Sequence, residues 1–167
     1  PMLPVTEAKG AASYNDKSFS IDVASGLLGD MKVSDGHVAI TDIDKQTETV
    51  HAQIDIAAKV QGPLHTALKV LDEKPLRYPQ KLGLKTKSAK GQAAIDVDFK
   101  FPLHSALALD EIAVTAQATV KDVSLQDVVA GQALSGGPMA VSLKKGKLGL
   151  KGKGVLGDMP VTFDWEK

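Results

Sequence analysis

Three long stretches of this chain put an apolar residue at every second position, and that period of two constrains the fold more than any other feature. Successive side chains of a strand point to opposite faces, so this spacing marks half-buried strands. From Val50 to Val60 the even positions are apolar, including Ile54 and Ile56. From Ala93 to Phe101 the odd positions are, with Ile95, Val97 and Phe99 at the centre. From Ile112 to Lys121 the series is Val114, Ala116, Ala118 and Val120. All three exceed the usual strand length of about five or six residues. Shorter strands are predicted at Phe19–Val23, His37–Ile43, Met139–Leu143, Lys147–Lys151 and Met159–Trp165. Alternation on one side only predicts a mainly β fold, an antiparallel sheet with one dry face and one wet face.

Two segments break the period. Pro63 to Asp72 opens on a proline and spaces Leu64, Leu68 and Leu71 at helical intervals, which predicts an amphipathic helix near 63–73 that ends before Pro75. Ser124 to Gly131 offers a Ser cap, an acid three residues on and a closing glycine, which predicts a short helix near 124–130. Between them, 72–91 reads mainly as a loop rich in lysine and proline. No composition shift divides the 167 residues, so a single β domain over 1–167 is expected. Because the chain opens at Pro1, it is expected to be a piece of a longer protein.

Gly152, Gly154 and Gly157 spell G-x-G-x-x-G, but a dinucleotide loop needs a following helix and a second parallel strand. Only ten residues follow Gly157, and they alternate like a strand. The same phrase occurs upstream: GLLGDMKV at 26–33 matches GVLGDMPV at 154–161 in six of eight positions. A phrase used twice, each time before an alternating run, predicts hairpin turns at Gly29-Asp30 and Gly157-Asp158.

Chemistry-bearing residues form no active-site pattern. His37, His51, His65 and His104 lack metal-ligand spacing, and His51 falls on the polar side of its strand. Asp96 with Asp98, and Asp42 with Asp44, fit the wet face of a sheet. Ala133-Leu134-Ser135-Gly136-Gly137 misses the nucleophile elbow by one residue. No catalytic residue, metal ligand or cofactor is assigned, and the expectation is a non-enzyme. Net charge is zero, which removes the whole-chain electrostatic case for nucleic acid. Cysteine is absent, so no disulfide or thiolate site contributes, and no stretch approaches the roughly 18 apolar residues of a membrane span. Charge is uneven all the same: Arg77, Lys81, Lys85 and Lys87 belong to an acid-free stretch, as do five lysines in 144–153. Such a rim suits anionic head groups only if an apolar surface lies beside it.

The ordered series GPLHTALKVLDEKPLRYPQKLGL, GQAAIDVDFKFPL, IAVTAQATVKDVSLQDVVAGQAL and LGLKGKGVLGDMPVTFDWEK resembles a domain of unknown function from AsmA-like envelope proteins of Gram-negative bacteria, related to YhdP and TamB. The likeness extends over 18–167. It implies a periplasmic location, an inner-membrane anchor elsewhere in the parent protein, repeated β units, and a long groove that passes phospholipids between the two membranes. On that expectation Ile54, Ile56, Ile95, Val97, Phe99, Val114, Ala116, Ala118 and Val120 line a curled groove. Arg77, Lys81, Lys85 and Lys87 form its head-group rim. At about 0.8 kcal/mol per buried CH₂, a chain of about fifteen carbons gains on the order of 12 kcal/mol before costs. The alternative is a structural or partner-binding β module for outer-membrane assembly, docking neighbouring segments of the same protein or other envelope proteins.

Overall fold

The computed structural model describes residues 4–47, 50–73, 77–81, 83–104 and 107–166. Nine strands are hydrogen-bonded in chain order in one open antiparallel sheet. They are β1 (Val5–Asn15), β2 (Ser18–Leu28), β3 (Met31–Thr41), β4 (Gln53–Pro63), β5 (Lys90–Pro102), β6 (Ala113–Val129), β7 (Gln132–Lys144), β8 (Lys147–Leu156) and β9 (Met159–Glu166). The helix α1 (Leu64–Asp72) follows β4, and a single turn, α2 (Tyr78–Lys81), comes before β5. No helix among the described residues is long and apolar enough to cross a membrane.

Both repeated phrases form the predicted turns. Leu28 pairs with Met31 and Leu156 with Met159, leaving two-residue loops. Gly29 and Gly157 adopt φ of 64° and 62°, the left-handed conformation that a glycine-first hairpin turn requires. Helix α1 occupies the predicted segment, with Pro63 as its N-cap.

The helix expected near 124–130 is absent, because those residues extend β6. Val123, Ser124 and Leu125 pair with Gly136, Ser135 and Leu134 of β7. Asp122 and Asp127 take positive φ, 51° and 56°, as inserted residues do in a bulged strand. Each insertion resets the alternation, so the inward apolar residues fall at 120, 123, 125 and 128, a spacing that imitates a helix. Strand β1 was not predicted at all: its residues VTEAKGAASYN lack alternation and are all exposed.

Opposed residues in an antiparallel ladder share a face, so the registers define a dry face running across the sheet. One row reads Gly26, Val33, Val60, Ile95, Ala118, Val141, Leu150, Trp165. The opposite face is polar, with cross-strand pairs such as Asp55–Lys100 at 2.7 Å and Lys151–Asp164 at 3.2 Å. The lysines of these pairs are exposed, and Asp55 is half-buried; such pairs serve register and solubility more than stability.

The core is a film on the dry face rather than a filled interior. Met31, Val33, Val60, Ala93, Val120, Val123, Leu134 and Met139 are its buried strand residues. Leu64 and Ala67 of α1 lie down on them, and Leu71 reaches Val114 and Leu143 further along. Glycines seat the two buried methionines. A Cβ on Gly62 would lie 2.9 Å from the Met31 Cα, and a Cβ on Gly152 would lie 2.9 Å from the Met139 Cα. One on Gly154 would sit 2.6 Å from the Met139 terminal methyl carbon. The G-x-G-x-x-G phrase is therefore a shelf for Met139 followed by a hairpin turn.

Candidate apolar binding face

The nine residues expected to line a groove come from β4, β5 and β6, and the register sets them side by side. Ile56 pairs with Phe99, which pairs with Val114; Ile95 pairs with Ala118; Val97 pairs with Ala116. Ile54 opposes Phe101, and Val120 opposes Ala93. All nine therefore share the dry face. Val114 and Val120 are buried, whereas Ile54, Ile56, Ile95, Val97, Phe99, Ala116 and Ala118 remain half-buried.

The partial burial follows from scarce cover. Helix α1 has nine residues, about 14 Å of length at 1.5 Å per residue, and it packs along β4 and β5. A nine-stranded sheet at about 4.8 Å per strand is roughly 40 Å wide. The accessible surface of the chain is 10614 Å². A compact monomer of 17.5 kDa would expose about 7,900 Å². The excess, about a third, is what a single-layer sheet leaves uncovered.

Hollows on the opposite side have different chemistry. One of about 650 Å³ is bordered by Lys59, Asp96, Gln117, Thr119, Lys151 and Asp164, with Val60, Ile95, Ala118, Val141 and Trp165 of the dry-face row also at its border. Charged, amide and hydroxyl groups make up about half of its border, so this depression is less suited to an acyl chain than the dry face is. The dry face recommends itself by its chemistry and not by a deep pocket.

The expected basic rim is only partly free. Lys85 is paired with Asp127 of β6, which neutralises it. Arg77 and Lys87 are exposed. The Lys81 side chain lies outside the described residues.

One cluster escaped the sequence reading. The Leu103 amide donates to the Ala52 carbonyl at 2.7 Å, tying the start of β4 to the end of β5. That tie sets the His51 and His104 rings 4.8 Å apart. His51 is thus half-buried ahead of β4 rather than solvent-facing within it. His104 Nε2 lies 3.0 Å from Glu111 Oε1, and the Ala108 amide donates to Glu111 Oε2 at 2.7 Å. The amide, then the histidine, hold the Glu111 carboxyl below its ordinary pKa. His104 and Glu111 are only seven residues apart, but no sequence spacing signals that His51 joins them, because it meets His104 through the β4–β5 pairing. No set of three such residues with metal-holding geometry occurs among the described residues.

No protein-family model matches the chain, and it matches no curated protein and no solved structure.

Proposed function

We propose that this chain is a non-enzymatic segment of a periplasmic phospholipid conduit between the inner and outer membranes, part of an anchored AsmA-like envelope protein, and that it holds acyl chains on its dry face. The observation that carries this reading is one apolar face continuous across the sheet and covered chiefly by a single short helix. An uncovered face of this size is costly in water at about 25 cal/mol per Å². Acyl chains are a suitable cover because they need no directional contacts, and the small Ala116 and Ala118 leave room for them. Helix α1 covers only part of the face, through Leu64 and Ala67 beside Val60 and Ala93 and through Leu71 beside Val114, so lipid tails would lie beside it. Exposed Arg77 and Lys87 supply positive charge for phosphate groups.

Titration of a phospholipid carrying a fluorophore on one acyl chain tests the proposal. Uptake should raise emission with saturation, and Val97→Asp or Ala116→Asp should weaken uptake at least tenfold while circular dichroism stays unchanged. Folded variants that bind as the parent does would remove these residues from the site; variants that unfold would make the face a core instead.

A further inference from the structure

The repeated phrase sits twice in the sheet with different surroundings. In the first copy Met31 is 1 % exposed, and the sheet continues from β3 into β4. In the second copy Met159 is 63 % exposed, and β9 is the last strand. The difference has a specific cause. Met31 is covered beside Gly62 of the next strand, and Met139 opposes Gly152 of its next strand. Met159 has the same phrase before it and, among the described residues, no glycine-bearing strand beside it.

The free edge of β9 is suited to receive one. Its pairing with β8 runs from Gly149–Glu166 to Leu156–Met159 without a register shift, so the edge is straight. The edge at β1 differs: its ladder shifts register on both sides of Lys9, and Glu7 has φ 52°. Bulges of this kind blunt an edge against further pairing. Because Leu156 and Met159 close a two-residue hairpin, Met159 and every second residue after it bond to β8. Pro160, Thr162, Asp164 and Glu166 then present their backbones outward. Proline is tolerated at such an outward position, and the amides of the other three are available donors.

From this we infer that β9 docks an extended polypeptide strand, antiparallel, with alternating apolar and polar side chains and glycine opposite Met159. The pairing of β3 with β4 supplies the register: Val33 faces Val60 and Lys32 faces Gln61, which places Gly62 at Met31. Transferred to the second copy, a branched apolar residue faces Val161 and a small one faces Met159. The tenth strand extends the dry face by one row and covers Met159 and Trp165, the latter now 44 % exposed. This inference stands apart from lipid binding, since it uses backbone donors of the edge.

The probe is a synthetic peptide of residues 53–63 with Asp55 replaced by lysine, so that a positive charge faces Glu166. Amide hydrogen exchange of the full chain is followed with and without it. The expected result is roughly tenfold slower exchange at Thr162, Asp164 and Glu166, with β1 unchanged. Asp164→Pro, which removes an outward donor, should abolish the protection while the chain remains folded by circular dichroism. Valine in place of the peptide glycine should abolish it independently of any variant of the chain. Protection at β1, equal protection by a scrambled peptide, or none at millimolar peptide would overturn the inference.

Discussion

Two methionines in nearly identical phrases should differ sharply in what they contribute to stability. Met31 is 1 % exposed and Met159 is 63 % exposed. Truncating a buried methionine to alanine loses its transfer free energy and leaves a cavity, about 2–5 kcal/mol together. The site around Met31 collapses poorly: it is closed by the β4 backbone, where a Cβ on Gly62 would come within 2.9 Å of the Met31 Cα. Met31→Ala should therefore cost about 3 kcal/mol. With a urea m-value of about 2 kcal/mol/M, the unfolding midpoint should fall by about 1.5 M. Met159→Ala removes the same atoms from an exposed edge and should stay within about 0.5 kcal/mol, a midpoint change of roughly 0.3 M or less. Urea titrations followed by far-ultraviolet circular dichroism, with equal m-values for parent and variants, measure both. Equal losses would refute the single-layer account, because they would mean that β9 is covered in solution.

Gly62→Ala should cost about 1–3 kcal/mol by overpacking against Met31, seen as a lower thermal midpoint. Gly157→Ala should lose about 1 kcal/mol or more in the same assay: φ is 62°, and the new methyl would approach the Gln132 side-chain oxygen. Protonation of Glu111 should loosen the link between β5 and β6. Its folded pKa lies below the ordinary 4.5, so its contribution is complete above pH 4.5 and is lost as pH falls through the lower folded value. Glu111→Gln should therefore flatten the acid limb of stability below pH 4.5 and lower stability at neutral pH; an unchanged limb would exclude this group. Lys59 and Lys100 behave with opposite sign. Hydrogen bonds that they donate to Asp35 and Asp55 raise their pKa values above 10.5, so their support persists up to that pH and fades beyond it. Asp55→Asn should remove the Lys100 part of that alkaline loss in urea titrations at pH 9 to 12.

The dry face was legible in the chain because alternation is a local signal, and β4, β5 and the first part of β6 display it without interruption. Bulges hide it. The inserted Asp122 and Asp127 shift the inward residues of β6 to a helix-like spacing, and the capping residues at Ser124 reinforced the wrong inference. Strand β1 has no buried face to betray it, since its pairing with β2 rests on backbone bonds. The His51–His104–Glu111 group depends on a register that no short window contains. What covers the dry face is likewise beyond local pattern, because half-buried residues such as Ile95 and Val97 read the same whether a second layer, a lipid or another strand lies over them.

Native mass spectrometry of the chain after incubation with vesicles of phosphatidylethanolamine and phosphatidylglycerol tests the uncovered dry face most directly. The account predicts phospholipid adducts at defined stoichiometry, lost in folded Val97→Asp. A bare protein mass at every lipid concentration, with the chain folded and monomeric, would contradict it.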